Sequence, residues 1–510
     1  IKGGLQRNRR RMPSLFCIPL SACNRQIDSI DRKQSNLQQV PHEVTRYARS
    51  LEELLLDMNH IKELPKELFR LNRLRILGLS DNHINKVPSD ISALGSLEEL
   101  NLSRNDISDL PDEIRLCKEL TRLELSSNPF TLLPSAVSHL SSLTHLGLND
   151  VSLTQLPSDI GSLVNLRSLE VRENLIRTLP PSLCQLTQLE VLDLGQNDID
   201  QLPQDMGSMQ SLRELYIDAN DLECLPDQIT QCRNLEQLDV SENKVMLLPE
   251  EFGDLSHLTD LNVSQNIIQQ LPNSMGRLKR LSILKAEKNV MTNLTMSIGS
   301  CEELQEVFLT ENLLSELPST IGNLHKLRTL NADKNQLTAI PTTIGGCSSL
   351  SVLSLRENQL TELPMDIGKC EGLTVLDVCS NRLSYLPFTI KVLFKLQALW
   401  LFENQTQALL KFQEEREPRT AVKVLTCYLL PQQDAATVME AESEVNRPFR
   451  GGPKVHFGDQ DDATMEDDSK LPIGEFHRHD TPHPKPHSAK LKKNTNEGHV
   501  VHHEDDLQTS

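Results

Sequence analysis

From Leu51 onward the apolar positions follow one frame: Leu51, Leu54, Leu56, then Asn59, Ile61, Leu64 and Pro65. The frame returns every 23 residues. Asparagine holds its central position from Asn59 through Asn404 without insertion, and Val151 is the single departure. This gives sixteen rungs. Proline stands six residues after each rung from Pro65 to Pro387, except at Thr295, and Leu410 takes the place in the last unit. The alternation Leu54-x-Leu56 predicts one short strand per unit, with the residues between the leucines on the opposite face. The proline and the apolar IxxL or IxxC segment behind it predict an extended stretch and then a short turn or helix.

A repeat of this length cannot bury its apolar face alone, so neighbouring units must stack into one array. The LxxLxLxxNxLxxLP frame is the pattern of a leucine-rich repeat. It predicts an α/β solenoid, a horseshoe of 16 regular 23-residue repeats with a concave parallel β-sheet, capped at both ends and followed by a disordered C-terminal tail. A stacked asparagine suits the turn after the strand, because its amide donates to and accepts from backbone groups held away from water. Cys117, Cys232, Cys301, Cys347 and Cys370 share a column with leucines of other units and read as small core side chains.

The ends break the period. Residues 1–23 form an N-terminal segment, and 24–50 a cap with an imperfect first repeat whose Pro41 precedes Pro65 by 24 residues. The array runs over 51–418. Residues 419–431, with the apolar run from Leu409 to Leu430 around them, are expected to close the far end. From 432 to 510 the chain turns acidic and histidine-rich, which predicts disorder. His477, His479, His483 and His487 sit in that tail on a proline-rich stretch, and no metal is assigned to them.

Aromatic residues make up 3% of the chain against 38% hydrophobic, so the core is aliphatic. A net charge of -19 disfavours general binding to nucleic acid. No apolar run approaches the roughly 20 residues of a bilayer-spanning helix, which leaves a soluble or peripherally attached protein as the expectation. No cofactor and no small-molecule substrate are expected. Glu124, His145 and Ser168 fall on successive strands and can be drawn as a triad, but an open sheet offers no oxyanion hole, and no phosphate loop or HExxH is present. The expectation is a protein that is not an enzyme.

Several blocks go beyond the repeat: Cys17-Ile18-Pro19-Leu20 with Cys23-Asn24-Arg25, Arg46-Tyr47-Ala48-Arg49-Ser50-Leu51, the departure Asn149 to Leu153, Lys423 to Pro431, and Thr481 to Pro484. With them the chain resembles the LAP family of leucine-rich repeat and PDZ proteins over about residues 13 to 490. The resemblance implies a non-enzymatic scaffold of epithelial polarity at the cytoplasmic face of the basolateral membrane and cell junctions. PDZ domains are missing, which fits a member without them or one cut before them. The first residue, Ile1, and the ending Gln508-Thr509-Ser510 favour a partial chain, with Met12 as the natural start. The resemblance further implies acylation at Cys17 and Cys23, whose two chains would anchor the protein stably. The alternative is a repeat scaffold of small-GTPase and protein phosphatase 1 signalling.

The concave face is the expected partner site. Glu170, Glu173, Asp193, Glu214, Asp218, Asp239, Glu242 and Asp260 crowd its columns against Arg172, a local net of -7. Such a surface attracts a basic partner segment, and the resemblance suggests the basic loop of a lethal-giant-larvae protein. Tyr216, Phe308, Trp400 and Phe402 share the columns as candidate aromatic anchors. Lys454-Val455-His456-Phe457 is similar to the docking motif for protein phosphatase 1, a match that four residues also produce by chance.

Overall fold

The computed structural model describes residues 27–404, 413–416 and 420–426. Seventeen three-residue strands, from Ser29–Asp31 to Ala398–Trp400, pair in parallel into one continuous sheet. Sixteen of them carry the sixteen rungs, and the cap adds the first. Each pairing advances by 23 residues, as Leu54 with Leu77 and Leu376 with Leu399 through its neighbours, but the cap pairs Ile30 with Leu54, 24 residues away. The middle leucine of each strand points into the coil. Leu215 is fully buried, while Glu214 and Tyr216 on either side of it stand half-exposed on the concave face.

The chain leaves each strand through a left-handed residue. All sixteen positions immediately before a rung, from Met58 to Glu403, have φ between 51° and 62°, and none is glycine. The asparagine that follows repays this strain with bonds on every side. Asn220 is typical: its Nδ2 donates to the carbonyls of Leu194, Ile217 and Asp218 at 3.0, 3.2 and 3.1 Å, and its Oδ1 accepts from the Ile199 N–H at 3.0 Å. The ladder therefore stitches each unit to the one before it. At Val151 it is interrupted. The Phe130 N–H, which in other units would reach the next asparagine, turns to the Asn128 carbonyl at 2.8 Å, and Ser152 becomes a second left-handed residue beside Asp150.

The convex side is made of 3-10 turns. Pro226, in extended conformation, leads into Asp227–Gln231, which buries Ile229 and stops at Cys232. Proline suits that entry because its fixed φ and missing N–H lose nothing there. In eight turns one position is glycine. Gly161, Gly207, Gly253, Gly276, Gly299, Gly322, Gly345 and Gly368 share this column, which holds Phe69, Arg115 and Lys391 in other units, and a Cβ on Gly253 would stand 2.0 Å from the Ser274 carbonyl oxygen of the next turn. Beside it runs the cysteine column. Its thiols are buried, and each donates to a carbonyl one unit back, as Cys232 to Met206 at 3.2 Å and Cys347 to Ile321 at 3.2 Å. Burial pushes the Cys232 thiol up to about 11 and the Cys347 thiol up to about 12.

Both ends of the described chain carry extra structure. At the first rung, Asn59 Oδ1 accepts from the N–H groups of Ser35 and Leu37 at 3.0 and 2.9 Å, while Val40 and Val44 are buried. At the other end Gln413–Arg416 and Lys423–Thr426 form an antiparallel pair, and the second of these strands also pairs with Leu386–Pro387. Val424 and Leu425 are buried there, and Lys391 and Lys423 each lie 5.2 Å from the centre of the Phe388 ring.

Candidate protein-binding face

Strand register decides which concave residues meet. Glu170, Asp193, Tyr216 and Asp239 fall in one row across four consecutive strands, and Asn262 and Lys285 continue it. Glu214 and Asp260 belong to the row two residues earlier, with Gln237 between them. Asp218 follows Tyr216 on the same side, and Glu173 and Glu242 are exposed left-handed residues at the rim. The eight candidate carboxylates therefore occupy one stretch of the sheet.

Most of their side chains are fixed by neighbours. Asp239 accepts from the Ser241 N–H and hydroxyl at 2.9 and 2.6 Å on one oxygen and from Asn262 Nδ2 at 2.9 Å on the other. Asp260 accepts from Thr259 at 2.6 Å, and Glu242 from Gln265 at 2.8 Å. The Tyr216 hydroxyl donates toward Gln237 at 2.7 Å and Glu214 at 3.0 Å; burial, with Glu214 beside it, pushes this phenol up to about 12. Carboxylates held in this way need little reorganisation to receive a cation.

Arg172 spans the face. Its Nε donates to Asp193 at 3.0 Å and its Nη1 to Asp218 at 2.8 Å, which holds the guanidinium well above its ordinary range, through the Asp218 bond first. Gly195 makes room beneath it, since a Cβ there would lie 2.3 Å from Arg172 Nη2. The internal cation thus engages Asp193 and Asp218, offsetting one of their two charges, and leaves Asp239 and Asp260 as the open acidic centre. These two, with Tyr216, Gln237, Asn262, Ile283 and Lys285, line a depression of about 180 Å³. Gln237, Asn262 and Lys285 were not among the expected site residues, although their places in the 23-residue columns would have given them.

The aromatic candidates are not brought together. Tyr216 and Phe308 lie four strands apart, Phe308 and Trp400 another four, so each gap is about 19 Å at the usual strand spacing. Trp400 is half-buried beside Asp377 on the last strand, and Phe402 is 73% exposed. Cys17, Cys23, Lys454, Val455 and Phe457 lie outside the described residues, as do the four tail histidines, the whole acidic tail, and Leu409, Leu410, Phe412, Tyr428, Leu429 and Leu430.

The candidate triad is not assembled. Glu124 pairs in register with Gly147, not with His145, and its carboxylate takes the Ser126 hydroxyl. The His145 ring nitrogen faces the Thr144 hydroxyl at 2.8 Å, and the Ser168 hydroxyl donates to Glu170 at 3.3 Å. Burial and Arg122 lower the His145 pKa. Among the described residues no group of three or more His, Cys, Asp or Glu is placed to hold a metal, and no helix is long and apolar enough to cross a membrane.

A one-strand-per-unit parallel solenoid with an asparagine ladder and an open concave sheet defines a leucine-rich repeat protein. The chain belongs to that family. Leucine-rich repeat models match residues 49–107, 119–140 and 135–245, the last described as a leucine-rich repeat region. A leucine-rich repeat protein of Leptospira interrogans superposes with a TM-score of 0.67 at 30% identity, covering 73% of this chain and 94% of that one. The plant peptide hormone receptor RGFR1, solved in complex with RGF2, gives 0.52 at 26%, covering 72% and 73%.

Among curated proteins, the Scribble homolog let-413 of Caenorhabditis elegans is 56% identical over 108 residues, 20% of this chain and 15% of that protein. Leucine-rich repeat-containing protein 7 of Rattus norvegicus is 47% identical over 68 residues, 13% of this chain and 5% of that protein. The matches thus span a small part of both relatives. The fold and these relatives support a protein-binding scaffold.

Proposed function

We propose that the chain is the repeat region of a LAP-type scaffold acting in epithelial polarity, and that its concave sheet holds a basic segment of a partner protein. The observation that carries the reading is the two neighbouring rows of carboxylates on consecutive strands, whose open centre is Asp239 in one row and Asp260 in the other. A partner's lysines or arginines are drawn to such a face before contact and find oriented acceptors on arrival. The resemblance to the LAP family suggests a lethal-giant-larvae protein as that partner and the basolateral membrane and junctions as the place, and the likeness to the Scribble homolog is in keeping with that family. Membrane attachment through acyl chains on Cys17 and Cys23 belongs to the same reading, as does a secondary contact with protein phosphatase 1 through Lys454, Val455 and Phe457.

The test is capture of a lethal-giant-larvae protein from epithelial lysate on the full chain. Wild type is compared with Glu214→Lys/Asp239→Lys/Asp260→Lys, which leaves the Arg172 pairs intact. Capture by wild type that weakens with salt and is lost in the folded variant supports the reading. Undiminished capture by the variant removes it. For the lipid anchor, the readout is membrane fractionation of Cys17→Ser/Cys23→Ser, and unchanged association would remove acylation as the mechanism.

A further inference from the structure

The flank of the solenoid just past the asparagine ladder behaves differently in its middle. Among the described residues the residue after most rungs is exposed, and outside the Pro129 and Ser152 positions its N–H bonds to the unit before, as Ile267 to Val245, Val290 to Ile268 and Leu313 to Met291, so these residues lie side by side from rung to rung. In most units this column is polar or charged: His60, His83, Asp106, Asp198, Lys244 and Gln336 stand in it. At Ile267, Val290 and Leu313 it is apolar three times in succession, 40, 37 and 43% exposed. Met246 and Leu247, 51 and 56% exposed, extend the stripe on the side of the preceding unit. None of these five side chains takes part in the concave site. Together they put five exposed apolar side chains on four successive units, the kind of clustering that marks a docking site.

We propose that this stripe seats an amphipathic helix of a partner protein, with basic residues at the helix end nearest the amino-terminal units. The spacing fits. Successive rungs are about 4.8 Å apart, and a helix presents its i, i+3/i+4, i+7 ridge with an axial step of about 5 Å, so one ridge lies along the stripe without losing register over three rungs. Charge sets the direction. In the same columns, toward the amino terminus, stand Asp198, Asp200, Asp221 and Glu223, with Lys244 paired to Asp221 at 2.6 Å; toward the carboxyl terminus stand Gln336 and Gln359, with Glu316 and Glu362 against Arg382. A more acidic border at the amino-terminal end than at the other selects a helix whose basic residues cluster at one end. This site is separate from the concave face and does not depend on the reading given to it.

The probe is a synthetic helical peptide of about eighteen residues with leucines on one ridge and lysines in its last turn, labelled for fluorescence anisotropy against the full chain. A shuffled peptide of the same composition, with its leucines scattered around the helix, is the control. Binding at least about tenfold tighter for the ridge peptide, lost in Ile267→Glu/Leu313→Glu and weakened several-fold by salt or by Asp200→Lys/Glu223→Lys, supports the proposal. The milder Ile267→Ser/Leu313→Ser serves if the double glutamate variant loses its circular dichroism. Equal binding of ridge and shuffled peptides, or equal binding by wild type and folded variant, overturns it. So does a concentration-dependent dimer of the protein alone, seen by sedimentation and abolished by the same substitutions, because a second copy then covers the stripe.

Discussion

Arg172 and Asp218 stand 46 residues apart in the chain and two strands apart in the sheet, yet the guanidinium of one closes on both carboxylate oxygens of the other. Asp193 on the strand between them takes the Nε, so one arginine ties three units together across the concave face. Removing it leaves two partly buried carboxylates facing each other. Arg172→Ala should lower the unfolding free energy by roughly 1–3 kcal/mol, read from urea midpoints, and should raise affinity for a basic partner. Gly195→Ala should act in the same direction, because its new Cβ displaces the guanidinium. The two changes made together should add little to either alone.

The asparagine ladder can be tested one rung at a time. Asn220→Ala strands the N–H of Ile199 in a buried turn and takes one donor from the carbonyls of Leu194, Ile217 and Asp218, which keep Asn197 Nδ2, Asn243 Nδ2 and the Gln196 N–H. A loss of roughly 1–3 kcal/mol is expected from the one group left unpaired away from water, measured by denaturant or thermal melting. A change within experimental error would mean that the turn finds other partners, as Phe130 does beside Val151.

On the convex side two glycines make a controlled comparison. Gly253→Ala places a Cβ 2.0 Å from a backbone oxygen that belongs to the stacked neighbouring turn, whereas a Cβ on Gly95 meets nothing within 4 Å. The first should destabilise by about 1–3 kcal/mol or more; the second should be neutral or slightly stabilising. Melting temperatures of the two variants measured side by side decide the point.

The buried thiols predict sensitivity to alkali. Burial holds Cys347 up to about 12 and Cys117, Cys232, Cys301 and Cys370 up to about 11. An unfolded thiol ionises near 8.5. A folded pKa raised above the unfolded one gives stability that is complete below the unfolded value and is lost as pH rises toward the folded value. Urea midpoints should therefore fall between about pH 9 and 11. Cys347→Leu, which adopts the residue type of the other units, should reduce that fall by about 1.4 kcal/mol per pH unit. An unaltered slope would show that the thiols do not govern it.

Much of this architecture was legible because a strict period turns sequence distance into spatial adjacency. Knowing that Leu215 and Leu238 are 23 residues apart is enough to pair them, and the cysteine column and the acidic row follow from the same arithmetic. What the columns did not give was reach. That Arg172 extends past its neighbour to a second strand depends on the gap at Gly195 and on side-chain torsions, neither of which a column predicts. The aromatic candidates show the reverse limit: sharing a column does not place Tyr216, Phe308 and Trp400 near one another when four strands separate each from the next. The glycines from Gly161 to Gly368 were readable by the same period, but their meaning lies in the carbonyl of the following turn, which only the stacked backbone reveals. The cap strand Ser29–Asp31 lacks the leucine frame and shows itself by its pairing with Glu53–Leu55.

The missing asparagine at Val151 has a mechanical consequence. In a one-dimensional array each unit is held mainly by the two beside it, so distant contacts do little to shield a poor junction. Between the units of Asn128 and Val151 the amide cross-link is absent, and Pro129 has no N–H to offer on the flank. Pulled from its ends or warmed toward melting, the solenoid should part at that seam first. The acidic units lie wholly on its carboxyl-terminal side, so fraying or proteolytic nicking at the seam would release an amino-terminal block and leave the partner face intact.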